Sequence, residues 1–201
     1  RQPETTASNY RLWEVPGCGH YDHYGLSIGP VDLGDGQGEI DNLAEMRNPT
    51  TEPSPPGLPL PGLFQCAEGI NTGPMHWVFN AAVRWIDRWV RSRGRQAPPI
   101  APRLEASSAP GVSPVVSAVD EPGIARGGTR TPYVDAPIAT LTGAGNGAAP
   151  GAPPLSSFCS AFGVTIPFTD EKLGELYPTH RSYVKSFGRA TRDAVRSTFL
   201  L

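Results

Sequence analysis

Most of what the sequence says about fold and chemistry sits in Tyr10–Gly29, YRLWEVPGCGHYDHYGLSIG. Leu12, Trp13 and Val15 suit a strand, and Pro16-Gly17 stops it. A small-residue turn then leads straight to His20, with Asp22 and His23 close behind. A rigid strand end presents an imidazole well, because a fixed scaffold holds a connection still while the connection does the chemistry. Imidazole ionises near neutrality, so His20 can take a proton and return it. A histidine after a strand is also a common structural residue, so this reading needs support from elsewhere in the chain.

Two other readings compete for the same residues. Gly25-Leu26-Ser27-Ile28-Gly29 fits G-x-S-x-G, the turn that exposes a serine between a strand and a helix. The following PVDLGDGQGE, with Pro at once and three Gly soon after, is a poor helix, so Ser27 reads as an ordinary loop serine. The second is a metal site. Cys18-x-His20-x-Asp22-His23-x-Gly25 resembles the H-x-H-x-D-H-x-G motif of metallo-β-lactamase-fold hydrolases, with Cys in the first ligand position. His76 and His180 are the candidates for distant ligands. That fold needs a strand-and-helix layer before the motif, and the preceding residues leave little room for one.

Outward from this segment, the chain is punctuated rather than uniform. Gly and Pro number 23 each in 201 residues, about twice the ordinary share. They crowd into 29–74 and 98–154 and leave 75–93 clear. Helical bundles, coiled coils and solenoids are excluded, since none tolerates so many breakers. A net charge of −2 offers no basic excess for nucleic acid. No apolar run is long enough to span a membrane. RQPETTASNY has no apolar stretch, so it does not read as a signal peptide, and a start at Arg1 reads as clipped from something longer. Cys18, Cys66 and Cys159 form no CxxC pair; one bridge is possible, its pairing unassigned, and the compartment, cytoplasmic or secreted, stays open.

The clearest element is a helix over about 74–93. Val78, Ala81, Ala82, Trp85, Ile86, Trp89 and Val90 make one apolar stripe, Asn71 or Thr72 can cap it, and Gly94 stops it. Three Trp on one helix predict that it packs on a sheet. PPIAP at 98–102 is a polyproline-like strap. Strands at 112–119 and 133–141, joined across 120–131, predict a hairpin, and 141–155 reads as a flexible surface loop. Thr169-Asp170 starts a short helix closed by Pro178, and Thr179 caps a last helix carrying Tyr183, Val184, Phe187, Ala190, Ala194 and Val195 on one side.

Several blocks, in order, carry a resemblance. RLWEVPGCGHYD is similar to the W-E-V-A-G-T-x-H-x-D block of bacterial α/β-hydrolase domain-containing proteins. Cys66–Glu105 resembles that family's Cys-x(3)-Ile-Asn-x-Gly-Pro segment, long helix and Pro-Pro strap. Gly123–Gly143, Phe162–Phe168, Leu176–Val184 and the FLL ending resemble its later blocks, while 31–63 and 144–157 carry no likeness. The match is uneven: Pro16 stands for an Ala, and Cys18-Gly19 for Thr or Ser followed by Ala.

The resemblance implies that His20 corresponds to the triad histidine of a serine hydrolase, with Asp22 either orienting it or capping a turn. In the order Ser, acid, His, the nucleophile and acid would precede Arg1. The expected fold is therefore α/β, the C-terminal part of an α/β-hydrolase-like domain. Residues 1–97 would hold the last sheet strand, the His loop, an insertion at about 31–63 and the long helix; 98–201 would be a Pro/Gly-rich extension with a β-hairpin and terminal helices. The implied substrate is a small ester or lactone, with no cofactor and no metal. The isolated chain would be inactive without the missing N-terminal part. Arg130, Asn71, Gly73 and the three helix Trp read as structural. The alternatives are a metal-dependent hydrolase using Cys18, His20, Asp22 and His23, and a non-catalytic binding fragment.

Overall fold

The computed structural model describes residues 9–57, 62–107 and 116–201. Its elements run in the order α1 (Gln37–Arg47), α2 (His76–Arg91), α3 (Pro132–Asp135), β1 (Ala139–Thr142), β2 (Val164–Pro167), α4 (Asp170–Leu176) and α5 (His180–Arg196). A five-residue π-turn, Tyr24–Ile28, and a 3-10 helix, Pro154–Ala161, lie between them.

The terminal helices follow their sequence signals. The Thr169 hydroxyl accepts from Lys172 N at the start of α4. Thr179 and Ser182 form a capping box at the start of α5, which satisfies amides a helix otherwise leaves unpaired. α1 falls inside the unassigned 31–63 insertion. Gly36 takes a left-handed φ of 90°, and the Asp35 carboxylate accepts from Gln37 N at 3.0 Å, which together turn the chain into the helix.

Several expected elements differ. Residues 10–15 form no strand; Trp13 Nε1 donates to Pro99 O at 3.0 Å, Arg11 Nε to Pro98 O at 2.8 Å and Thr129 N to Glu14 O at 2.7 Å, so the strap and the turn at Thr129 hold the segment. The expected hairpin between 112–119 and 133–141 does not form with those partners, and 112–115 lie outside the described residues. Val119 bridges Ala125 instead, while β1 pairs antiparallel with β2, Ala139 opposite Pro167 and Thr142 opposite Val164. Tyr133 and Val134 have gone into α3, which Pro132 begins. The 141–155 loop is tied down: Ala149 N donates to Gln65 O and Ala67 N to Gly147 O, both at 2.9 Å.

Three apolar clusters build the interior. Met46, Ile124, Tyr133, Val134, Ala139 and Leu141 form the first, which joins α1, α3 and β1. Cys66, Ile70, Cys159 and Phe162 form the second, and Cys66 and Cys159 are disulfide-bonded. Val78, Ala194 and Leu200 form the third, against Trp13 and Val15. Burying each large side chain here contributes about 1.5–3 kcal/mol. α2 therefore packs on coil and on the end of α5, not on a sheet. Only Val78 and Ala81 of this helix are buried, and Phe79, Val83, Ile86 and Val90 face outward, Val90 with 72% of its surface exposed.

Candidate active site around His20

The turn before His20 needs its small residues. Gly17 has a φ of 74°, and a Cβ there would come within 2.7 Å of Val134 Cγ1. At Gly19 a Cβ would lie 2.8 Å from Phe162 O. That close approach lets Ala161 O accept from both His20 N at 3.0 Å and Tyr21 N at 3.2 Å.

Asn71 holds the loop from the other side. It is fully buried; its side-chain amide donates to Gly17 O and Thr142 O, both at 3.0 Å, and its Oδ1 accepts from Gly73 N at 2.8 Å. Its main-chain carbonyl accepts from His23 N at 2.7 Å. One side chain thus ties the His loop to β1 while shaping the approach to α2.

His20 itself is exposed, and among the described residues its ring has no hydrogen-bonding side-chain partner; Tyr21 lies edge-on at 6.0 Å. Asp22 turns the other way, into the interior. Its carboxylate accepts from Gly25 N at 2.7 Å and Met75 N at 3.2 Å. It therefore caps both the π-turn and α2, the second from 53 residues away, and neither Asn71 nor Thr72 does so. Of the two roles left open for Asp22, the geometry supports capping. Burial raises its pKa, opposed by those two amides and by the nearby His76 and His23. His23 is buried, its Nδ1 has no partner, and burial lowers its pKa against the pull of Glu45 and Asp22. Part of Cys18 reaches the surface, yet burial around its sulfur, then the charge of Asp22, pushes the thiol far up, so it stays protonated.

The four residues of the candidate metal cluster do not converge. Among the described residues no three His, Cys, Asp or Glu side chains are placed to hold a metal ion. His180 is exposed at the start of α5. Ser27 lies within the π-turn rather than at a strand-to-helix elbow, and its Oγ is buried without a partner.

His76 has a role the sequence did not signal. Its Nε2 lies 2.8 Å from Glu39 Oε1, and its ring stacks on Tyr24 at 3.7 Å. Tyr133 donates to the other Glu39 oxygen at 3.1 Å, and Tyr24 donates to Asp32 at 2.5 Å. Burial pushes the Glu39 pKa up, but hydrogen bonding and charge from His76, with help from Tyr133 and Trp77, outweigh it, and the net shift is down. The cluster locks α1 to α2 and α3. Nothing in the spacing of these residues could have revealed it, because the insertion carrying Glu39 resembles nothing. Arg130 is structural as expected, paired with Asp135 and donating to Val134 O at 2.9 Å.

A cleft of about 470 Å³ lies beside the His loop, lined by Val15–Cys18, Leu104, Val119 and Leu141 among others. Its lining is mainly apolar, with the Cys18 side of the loop forming one wall.

The whole chain, residues 1–201, matches a family profile described as alpha/beta hydrolase domain. The protein belongs to that family. No curated protein and no solved structure matched the chain. Membership agrees with a mixed architecture of helices around a small sheet and makes hydrolysis the activity class of this α/β-hydrolase domain chain. No helix among its described residues is long and apolar enough to cross a membrane.

Proposed function

We propose that this α/β-hydrolase domain chain supplies the proton-transfer histidine, His20, of an ester-type acyl-transfer enzyme. The observation that carries the reading is the contrast between a pinned backbone and a free ring. His20 N, Tyr21 N and His23 N are all held by carbonyls, Asp22 and His23 face inward, and the His20 imidazole projects outward beside the exposed Tyr21. Such a group accepts the proton of a serine hydroxyl as it attacks the acyl carbon, then passes that proton to the leaving alkoxide. Because Asp22 is committed to Gly25 and Met75, another carboxylate must orient the ring.

In this reading the nucleophile and that carboxylate lie on an N-terminal segment outside residues 1–201. One feature supports it. Among the described residues, α2 leaves Phe79, Val83, Ile86 and Val90 exposed. A sheet layer packed on that face would cover it. Residues 1–97 then carry the proton-transfer group, and 98–201 form the shell that holds it. The substrate class, a small ester or lactone, rests on family analogy.

Incubating residues 1–201 with a chromogenic ester tests the division. The reading expects no turnover above buffer. Robust turnover by this chain alone, abolished by His20→Ala, would show that the whole machinery is already present.

A further inference from the structure

The Cys66–Cys159 bridge lies in the apolar cluster with Ile70 and Phe162, beside the His20 loop. We propose that it is a positioning device for the His20 loop: it holds in register the two arms whose carbonyls fix the loop's amides. This rests on the reading of His20 as the proton-transfer group.

One arm is 66–71. Cys66 N donates to Thr51 O at 2.8 Å and Ile70 N to Thr50 O at 2.9 Å, and the arm ends at Asn71, which binds Gly17 O and His23 N. The other arm is the 3-10 helix Pro154–Ala161. It ends two residues after Cys159 at Ala161, whose carbonyl takes both His20 N and Tyr21 N. The arms also meet directly where Asn71 N donates to Phe162 O at 3.1 Å. Every main-chain hydrogen bond described from His20, Tyr21 and His23 therefore ends on one of two strands of chain joined by a single covalent link.

The second arm needs that link. A 3-10 helix has poorer hydrogen-bond geometry than an α-helix and is rarely stable alone at this length. Leu155 and Phe158 are exposed, and the preceding residues are rich in Gly and Pro. Its inward anchors are Ser156, whose Oγ accepts from Gln65 N at 2.9 Å, and Cys159 itself, fully buried beside Ile70 and Phe162. A displacement of the helix would carry Ala161 O away from two amides together, and the imidazole between them would lose its fixed origin. Fixed geometry is what makes a proton-transfer group effective.

The test is amide hydrogen exchange read by NMR on residues 1–201 carrying Cys18→Ala, so that the bridge is the one thiol-disulfide pair present. Dithiothreitol passes two electrons to the bridge, giving two thiols and its own cyclic disulfide; iodoacetamide then caps the thiols. The uncapped route is the variant Cys66→Ala/Cys159→Ala. In both, the His20 and Tyr21 amides should exchange at least about tenfold faster, and the His20 Hε1 resonance should move or broaden, while α5 amides such as Ala190 keep their protection. Ser156→Ala, with the bridge intact, should leave His20 protected. Unchanged protection at His20 and Tyr21 overturns the proposal. Equal loss throughout α5 overturns it too, because the bridge is then a general brace. The readout needs no turnover, so a protected but catalytically idle His20 would instead count against the functional reading.

Discussion

At the scale of single residues, the His loop divides its polar groups by direction. His20 points out, Asp22 points in, and His23 is enclosed with an unpartnered Nδ1. The sequence showed the three as one cluster, because spacing along a turn says nothing about which side chains share a face. What was legible was that Pro16-Gly17 and Gly19 shape a turn and expose His20; what was not was that Asp22 caps a helix 53 residues on. The burial of His23 has a consequence for pH. Its folded pKa lies below the ordinary value of about 6.5, so folding favours the neutral ring. Its contribution to stability is present above about pH 6.5 and is lost as pH falls through the lowered folded pKa. Asp22, with a raised pKa, has the opposite sign, losing stability as pH rises, so only a difference between proteins isolates His23. Urea midpoints for wild type and His23→Leu should diverge: the wild type loses more stability than the variant on going from about pH 7.5 to about pH 5. A difference that does not change with pH contradicts the assignment.

At the scale of elements, local signals held and long-range ones did not. Thr169, Pro178 and Thr179 mark α4 and α5 because caps and breakers act within a turn of where they stand. The apolar stripe located α2, which begins and ends two residues inside the expected span. Its buried side was misjudged. Val78 and Ala81 are inside, whereas Ile86 and Val90 are exposed, because what covers a helix depends on its neighbours rather than its own period. β1 and β2 were missed as a pair for a similar reason: four-residue strands carry little pattern, and β2 reads only as a short apolar run. The two sides of α2 should respond differently to substitution. In residues 1–201, Val78→Ala should cost about 1–3 kcal/mol, since it opens a cavity beside Ala194 and Leu200. Val83→Lys, at an exposed site, should stay within about 0.5 kcal/mol. Denaturant melts give both values, and a large cost at Val83 would mean that α2 buries that face after all.

At the scale of the whole molecule, the breakers that fragment the sequence turn out to be the means of assembly. The long connections are held by side-chain and main-chain bonds that span the chain: Asn71 to Gly17 and Thr142, Trp13 to Pro99, Ala149 to Gln65, and Cys66 to Cys159. They build a frame around one loop, which turns His20 outward and whose Val15–Cys18 stretch lines an apolar cleft. Family membership points to hydrolysis, and the frame supports the proposal that His20 transfers the proton. The direct measurement is kcat/KM for a chromogenic ester in the protein extended upstream to include the proposed nucleophile, with His20→Ala beside it. Loss of a triad member typically removes about three to six orders of magnitude, and the account predicts a fall of at least about a thousandfold with the fold intact by circular dichroism. An unchanged kcat/KM in His20→Ala would contradict it.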